Sequence, residues 1–499
     1  MNLTIDPWIP VIGADGRRRL LSLLDLFAYA HELRDLSAQP HEKIALLRLL
    51  ICITQAALDG PENPEDWETC RSTIQPSTKT YLEKWATSFN LFGNGARFLQ
   101  VPGLRASKED ADSNPATKLD LSLSSGNNST LFDNSAGVIR TVPPGKLALT
   151  LLAFQCFAPG GRIGVAKWNN VDTPGKGSSN HAPCTPSGML HTFLKGVSIL
   201  ETLHLNLLTK ETIGDLGPKY WGKPIWEFPV NTERDLDAIS NATASYLGRL
   251  TPLSRSIRLN EDGQRMILAN GLDYPTFPVF RDTAVTLVQR DQGLAVLSVS
   301  LGRSIWRQLP AITVKGRAKS DSISGPLALG NIDGNQNCTL WIGALATDKA
   351  KIEDVVEASY DVPAGMFQDA GRKLYEEGVE LAVLWQRALS ESVKAYAVKM
   401  FMEAAPSERA RHYFWTRIEQ DVSILLMLTK TPEEVGDLKT SEWGKRAKQA
   451  AQASFALTCP CQTPRQIQAY SVGLQYLFLK KPKTLAETSN KKTSFLTES

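Results

Sequence analysis

Hydrophobic residues follow two different patterns along the chain. In the first part, short apolar runs alternate with turn residues, and a few longer apolar stretches have the length of helices. In the last part, apolar residues recur at helical spacing, as at Leu381, Leu384 and Ala388. The pattern predicts an α+β fold, with a large mixed N-terminal domain over 1–365 and a C-terminal antiparallel four-helix bundle over 366–480.

The N-terminal part is predicted to contain both strands and helices. A first strand covers 3–12 and is followed by a turn at Asp15 and Gly16. Apolar stretches predict packed helices over 42–58, 78–90, 146–157 and 187–208. Runs of β-branched and aromatic residues after position 222 predict antiparallel strands, which include 266–269, 283–288, 294–299 and 339–342.

Proline and glycine divide the C-terminal part into helical segments. The predicted helices cover 366–404, 407–429, 440–458 and 464–480. Their short connections favour antiparallel neighbours, and hence a bundle. The remaining segment, 481–499, is rich in lysine and is predicted to be a disordered tail.

Composition limits the compartment and the kind of partner. The 499 residues carry a net charge of only +3, so any nucleic-acid site has to be a local patch. The seven cysteines are scattered and odd in number, which indicates reduced thiols and a cytoplasmic protein. The N-terminus lacks the basic region of a secretory signal, and the apolar stretch 44–58 is short and contains Arg48. No association with a membrane is expected.

A glycine-rich segment at 158–177 is the clearest candidate for a ligand-binding loop. It contains five glycines and the cations Arg162, Lys167 and Lys176. Glycine lets the main chain approach a ligand closely, and the cations indicate an anionic ligand. The glycine spacing fits neither a phosphate-binding P-loop nor a dinucleotide-binding turn. An ordinary surface loop is the alternative.

Two further segments have the composition of a polymer-binding surface. Residues 122–134 are rich in asparagine and hydroxyl side chains, which could contact a sugar-phosphate backbone or simply face solvent. Residues 302–319 combine Trp306 with a group of cations, Arg303, Arg307, Lys315, Arg317 and Lys319. This basic segment predicts either attraction to phosphates or a strand edge protected by charge.

Residue groups typical of catalysis are not found in the sequence. The six histidines show no zinc-ligand spacing, and no serine or cysteine lies in a recognisable nucleophile motif. We therefore expect a protein that is not an enzyme and that needs neither a cofactor nor a metal. A nucleotide-dependent enzyme that uses the glycine-rich segment, and a purely structural scaffold, remain as alternatives.

An ordered series of motifs resembles the large subunit of the type I-E CRISPR complex Cascade, the CasA family. The motifs are MNLTIDPWIPV at 1–11, SGNNSTLF at 125–132, FAPGGRIG at 157–164, RLTPLSRSIRL at 249–259 and GALATDKAKIEDVVEASYDVP at 343–363. The resemblance extends over essentially the whole chain. It implies a non-catalytic subunit whose partners are the other Cascade subunits, CRISPR RNA, double-stranded target DNA and a helicase-nuclease.

The resemblance also implies which residues contact nucleic acid. A glycine loop reads the protospacer-adjacent motif from the DNA minor groove, and it corresponds here to Gly160, Gly161, Arg162, Gly164 and Lys167. A hairpin wedge that opens the duplex has its tip at Thr347, Asp348, Lys349 and Ala350, immediately before an expected helix start. An additional minor-groove contact falls at Gln264 and Arg265. The loop that docks on RNA and neighbouring subunits includes Ser125, Gly126, Asn127, Asn128, Thr130 and Phe132.

Overall fold

Helices and short strands alternate through the N-terminal three quarters of the chain, and helices alone follow. A computed structural model describes residues 1–107, 113–123, 135–158, 163–173, 188–216, 220–275, 282–315, 323–348 and 351–478. The helices are α1 (Leu23–Tyr29), α2 (Pro40–Leu58), α3 (Pro64–Thr69), α4 (Ile74–Lys84), α5 (Pro144–Phe157), α6 (Ile199–Leu205), α7 (Lys210–Leu216), α8 (Leu236–Ala244), α9 (Tyr246–Leu250), α10 (Leu309–Ile312), α11 (Asp369–Met400), α12 (Ser407–Glu419), α13 (Val422–Leu428), α14 (Glu442–Thr458) and α15 (Pro464–Phe478). The mixed fold class is confirmed.

The strands form small antiparallel sheets rather than one large sheet. They are β1 (Ile9–Gly13), β2 (Arg18–Leu21), β3 (Leu33–Leu36), β4 (Leu104–Ala106), β5 (Ser113–Pro115), β6 (Ala166–Trp168), β7 (Val171–Asp172), β8 (His191–Lys195), β9 (Arg255–Leu259), β10 (Arg265–Asn270), β11 (Leu287–Arg290), β12 (Gly293–Val296), β13 (Cys338–Asp348) and β14 (Lys351–Val362). Within the described residues, the strand orders are β2-β1-β3, β5-β10-β9, β11-β12, β14-β13-β8 and β4-β6-β7. The antiparallel pairing predicted beyond residue 222 is confirmed.

Helix α2 lies at the centre of the N-terminal part. Every residue from His41 to Gln55 is buried, as expected for a central helix with apolar residues on every side. Arg48 interrupts this apolar surface, and its guanidinium forms a buried ion pair with Asp282 and donates to the Leu250 carbonyl at 2.9 Å. A buried charge is tolerated there because its donors are engaged. None of the described helices has the length and apolarity needed to cross a membrane.

The predicted helix over 187–208 is wrong in its first half. Residues His191–Lys195 form strand β8, which pairs with β13. The chain then turns at Gly196, and the Ser198 hydroxyl caps α6 by accepting from the Glu201 backbone N–H at 3.2 Å. A short buried run such as HTFLK fits a strand as well as a helix, and pairing with β13 decides between the two.

The predicted C-terminal helices are confirmed with one interruption. The segment 407–429 is two helices, because α12 ends at Glu419 and α13 begins at Val422. The polar residues Gln420 and Asp421 lie at the break, and aspartate favours a helix start over a helix interior. The remaining boundaries lie within a few residues of the prediction.

Two side-chain contacts show the directions of the C-terminal helices. Arg465, at the start of α15, lies over the ring of Phe401, which caps the end of α11, at 4.3 Å. Helices α11 and α15 therefore run in opposite directions. The Trp443 indole N–H, at the start of α14, donates to the Gly378 carbonyl near the start of α11 at 2.8 Å. Helices α11 and α14 therefore run in the same direction.

A tryptophan cluster joins the helical part to the N-terminal part. Trp306 is fully buried, and its ring lies 6.0 Å from that of Trp415 on α12 and 5.8 Å from that of Trp443 on α14. The Tyr375 hydroxyl on α11 donates to the Trp306 carbonyl at 3.0 Å. Buried apolar residues accordingly form one continuous cluster along the described chain.

Candidate nucleic-acid interface

The glycine-rich segment contains a short hairpin between β6 and β7. Asn169 and Asn170 form its turn with φ of 49° and 69°, the left-handed conformation that asparagine tolerates best after glycine. This hairpin carries the candidate residue Lys167 on β6. Of the other candidates in the loop, Gly164 is described, whereas Gly160, Gly161 and Arg162 lie outside the described residues.

Strand β6 separates a buried face from a charged face. Ala166 and Trp168 are buried, and Lys167 between them projects from the opposite face. On that face Arg105 of β4 lies directly across from Lys167, and Asp172 of β7 lies on its other side. Arg105 was not predicted as a site residue. The Leu-Arg-Ala sequence of β4 alternates apolar and charged residues, as a half-buried strand does. Only the strand pairing shows that Arg105 lies beside Lys167.

The fold itself does not require glycine at position 164. A Cβ atom built there would meet no atom of the described residues within 4 Å, and its φ lies outside the range that disfavours side chains. By contrast, a Cβ at Gly365 would lie 1.7 Å from the Thr429 carbonyl oxygen, so glycine is needed there for packing. The absence of a side chain at Gly164 therefore leaves room for an external molecule.

The two described wedge candidates, Thr347 and Asp348, are the last residues of β13, which forms a long hairpin with β14. Strand β8 pairs with β13 as far as Gly343, and beyond this pair β13 continues with β14 to the pairing of Asp348 with Lys351. Strand β13 is buried from Leu340 through Ala346, and Thr347 is half-buried. Lys349 and Ala350 lie outside the described residues.

The helix start expected after the wedge tip is wrong. Residues Lys351–Val362 form strand β14, which pairs with β13 along its length. The sequence KIEDVVEASYDV is rich in β-branched residues, and Ile352, Val355 and Val356 are half-buried while Glu353 is exposed. Pairing with β13 stabilises a strand in a segment whose acidic start resembles a helix N-terminus.

Helix α5, which ends immediately before the glycine-rich segment, packs against the strand next to the long hairpin. Phe157 ends α5 immediately before the glycine-rich segment, and its ring contacts that of His191 edge-on at 5.8 Å. His191 lies on β8 and pairs with Gly343 of β13. The end of α5 is therefore one strand away from the hairpin that carries the wedge candidates.

The candidates Gln264 and Arg265 lie at the start of β10. The Gln264 amide donates to the Thr141 hydroxyl at 3.2 Å, and the Gln264 carbonyl accepts from the Ala116 N–H at 2.9 Å. Arg265 pairs with Pro115 of β5. Strand β10 also contacts β4 and β6, so these candidates and Lys167 lie on neighbouring sheets.

The candidate docking loop is not described. Its residues Ser125, Gly126, Asn127, Asn128, Thr130 and Phe132 all fall in the gap between 123 and 135. The residues on either side of the gap are placed in the fold. Leu121 is buried before it, and the Thr117 hydroxyl donates to the Ala136 carbonyl after it at 2.9 Å.

The basic segment at 302–319 is not an exposed patch at its described positions. Trp306 is buried, and the Arg307 guanidinium stacks over the Trp415 ring. The Lys315 ammonium donates to the Ile332 carbonyl at 2.5 Å. Burial, together with nearby Arg303, lowers the pKa of Arg307 to about 10. Arg317 and Lys319 lie outside the described residues, and the described cations serve packing instead of forming a strand edge.

Groups able to bind a metal are not assembled in the described part of the chain. No cluster of three or more histidine, cysteine or acidic side chains could hold a metal ion there. Burial raises the pKa of the Cys338 and Cys459 thiols to about 12, so both remain protonated at neutral pH.

Comparison with known proteins places this arrangement in a family. The family model described as CRISPR-associated protein Cse1 matches residues 2–454. The CRISPR-associated protein CasA/Cse1 of Thermus thermophilus is 30% identical in an alignment of 433 positions that covers 82% of this chain and 79% of that protein.

Solved structures have the same fold. The crystal structure of Thermobifida fusca Cse1 gives a TM-score of 0.76 at 20% identity, with 96% of this chain and 97% of that chain covered. A chain from a CRISPR RNA-guided surveillance complex gives 0.71 at 18% identity, with 96% and 99% covered. The chain belongs to the CRISPR-associated Cse1 (CasA) family, that of the large subunit of the type I-E Cascade complex.

Proposed function

We propose that this chain is the non-catalytic subunit of an RNA-guided surveillance complex that recognises the protospacer-adjacent motif in double-stranded DNA. In this proposal it also starts duplex opening and R-loop formation and helps recruit a helicase-nuclease. Its partners are the other Cascade subunits, CRISPR RNA and target DNA, and it acts in the cytoplasm. The observation that carries the proposal is the contact of Phe157, the residue before the glycine-rich segment, with His191 on β8, the strand that pairs with β13 of the long hairpin.

Motif recognition is assigned to the glycine loop and the charged face of β6. Gly160, Gly161 and Gly164 allow the main chain to enter a narrow groove, and Arg162 and Lys167 attract the flanking phosphates. The space beside Gly164 supports this role. The minor groove distinguishes base pairs incompletely, so a reader made mostly of main chain accepts several related motifs. Arg105 is added as a phosphate contact beside Lys167, and Gln264 with Arg265 as a neighbouring groove contact.

Duplex opening is assigned to the tip of the β13–β14 hairpin. Thr347, Asp348, Lys349 and Ala350 would separate the first base pairs beside the motif. The buried strand β13 behind the tip supports this role, because a well-packed base resists the force of insertion. R-loop formation is nearly balanced in free energy, so local opening can nucleate guide pairing without nucleotide hydrolysis.

Assembly is assigned to the polar loop and the C-terminal helices. Ser125, Gly126, Asn127, Asn128, Thr130 and Phe132 would contact CRISPR RNA and neighbouring subunits. The alternating directions of the long helices support an antiparallel four-helix bundle over 366–480, which helps to hold the opened DNA. A domain boundary near residue 365 is part of the same proposal.

The wedge assignment is tested with the double variant Asp348→Ala/Lys349→Ala in the assembled complex. We expect slower R-loop formation on fully paired DNA and a normal rate on DNA whose first pairs beside the motif are mismatched. A control, Asp15→Ala/Arg17→Ala, removes one acidic and one basic charge from the exposed turn between β1 and β2. An unchanged rate on paired DNA in the wedge variant would show that this hairpin does not open the duplex.

A further inference from the structure

An aromatic cavity lies between the β6–β7 hairpin and the segment around Trp226. Its volume is about 420 Å³, within the usual range of small-ligand sites. Four aromatic side chains line it, from Trp85, Trp168, Trp226 and Phe228. Trp168 is buried, whereas the other three are half-buried, so parts of their rings are accessible. Aromatic walls of this kind bind flat groups by stacking.

One carboxylate at the wall of the aromatic cavity is held in place. The Tyr81 hydroxyl donates to one oxygen of Glu227, and the Trp226 indole N–H donates to the Tyr81 oxygen at 2.8 Å. Burial and the adjacent Glu227 carboxylate raise the pKa of Tyr81, so the phenol keeps its proton and remains a donor. The second Glu227 oxygen has no hydrogen-bond partner among the described residues. A ligand can therefore donate to it.

The aromatic cavity offers no available cation to a phosphate. Arg97 is the cation that lines it within the described residues, and its side chain already donates to the carbonyls of Gly93 and Leu259 and to the Glu261 carboxylate. The ligand group that enters must therefore be flat, without negative charge, and equipped with N–H donors. These properties are those of a nucleobase with a donor edge.

The surroundings favour a base that belongs to a nucleic-acid strand. Trp168 forms part of the cavity wall, and the adjacent Lys167 projects from the opposite face of the same strand. Lys84 lies 5.3 Å from the ring centre of Trp85, where it adds positive charge beside the aromatic wall. A strand attracted by these cations can place one unstacked base in the cavity while its phosphates remain outside.

We propose that the aromatic cavity binds one unpaired nucleobase of a single-stranded segment, with guanine preferred. Guanine presents two neighbouring N–H donors on its Watson–Crick edge, which match the acceptor-only carboxylate of Glu227. The proposal extends the proposed function, because a single-stranded segment is available either in the guide RNA or in the displaced DNA strand. Both sources offer the same chemical group.

Direct binding to the purified full-length chain tests the proposal. The probes are labelled five-nucleotide strands that are abasic except for one central guanine or thymine, in DNA and RNA forms, together with a fully abasic strand. We expect the guanine strand to bind about tenfold tighter than the abasic strand, since one stacked base contributes that order of affinity. Tighter binding of the RNA form would identify the guide as the source, and tighter binding of the DNA form the displaced strand.

Variants connect this preference to the aromatic cavity. Glu227→Gln still accepts from Tyr81, and we expect it to lose most of the guanine advantage without changing the affinity for the abasic strand. Glu83→Gln, an exposed position on α4, is the matched control and should behave as wild type. Trp85→Leu should also weaken guanine binding, which provides an independent check if Glu227→Gln unfolds the protein.

Equal binding of the guanine, thymine and abasic strands by the wild type would overturn the proposal. A guanine preference that persists in both Glu227→Gln and Trp85→Leu would also overturn it. A short arginine-containing peptide is the competitor that tests for a protein ligand. If it displaced the guanine strand while the guanine, thymine and abasic strands bound equally, a protein partner would be indicated instead. Failure of the proposed function would appear differently, as lost recognition of duplex motifs with guanine binding intact.

Discussion

The Arg307 guanidinium lies over the indole ring of Trp415, with its central carbon 4.1 Å from the ring centre. Arg307 precedes α10 in the N-terminal part, and Trp415 lies on α12 among the C-terminal helices. Trp306, beside Arg307, contacts Trp415 and Trp443 as well. A cation in a segment that looks like a phosphate-binding patch is therefore used to hold two parts of the protein together.

Replacing Arg307 is expected to reduce stability. Arg307→Ala removes a partly buried cation–π contact and the packing of the side chain against Trp415, a loss of about 1 kcal/mol in the free energy of unfolding. Urea unfolding followed by tryptophan fluorescence measures the change. Arg409→Ala is the control, because Arg409 lies over Tyr413 at 5.4 Å on the exposed side of α12. An equal effect of the two variants would contradict a specific role for Arg307 at this junction.

Buried histidine makes stability depend on pH near neutrality. Burial lowers the pKa of His41 below its ordinary value of 6.5. The unfolded chain therefore binds a proton at His41 more readily than the folded chain as pH falls below 6.5. This proton uptake favours unfolding, so the free energy of unfolding is at its full value above that pH and decreases below it. We expect a lower free energy of unfolding at pH 5 than at pH 7.

The variant His41→Gln should reduce the loss of stability between pH 7 and pH 5. His204, whose pKa is also lowered by burial, accounts for part of the remaining slope. His31→Gln is the control, because the His31 side chain is 54% exposed. Urea titrations at both pH values provide the comparison. A slope that is the same in His41→Gln and in wild type would show that His41 does not cause it.

Salt dependence tests the phosphate contacts assigned to β4 and β6. Each phosphate contact that is lost should reduce the slope of log affinity against log salt by about 0.9 on duplex DNA. We expect Lys167→Ala and Arg105→Ala each to do so in the assembled complex, for duplexes with and without the motif. Lys79→Ala, at an exposed position on α4, should leave the slope unchanged. Normal slopes in both site variants would place the DNA elsewhere.

Long segments with one dominant pattern could be predicted from the sequence. Helix α2 is mostly apolar and α11 has a regular helical period, and both are found close to the predicted bounds. Short apolar segments could not be predicted as well. The residues of β8 and β14 are compatible with either helix or strand, and their pairing with β13, distant in sequence from β8, decides their conformation.

The sequence indicates those candidate residues that lie close together along the chain. The glycines and Lys167 are visible in the sequence, whereas Arg105 becomes a neighbour of Lys167 only through strand pairing. The aromatic cavity combines Trp85, Trp168 and Trp226 from three separate segments, so no local motif indicates it. Charge composition alone could not place Arg307, because its burial depends on a helix far along the chain that carries Trp415.

The central claim is that the glycine loop reads the motif in duplex DNA. Its most direct test is the affinity of the assembled complex for a duplex with the motif relative to one with a scrambled motif. The variants are Gly160→Val/Gly161→Val and Gly164→Ala, and Gly95→Ala is the control because a Cβ there also meets open space.

We expect the glycine-loop variants to assemble and to bind guide-complementary single strands normally. The ratio of their affinities for the motif duplex and the scrambled duplex should fall about tenfold. Gly95→Ala should retain the full preference. An unchanged preference for the motif in all the glycine-loop variants would contradict the account.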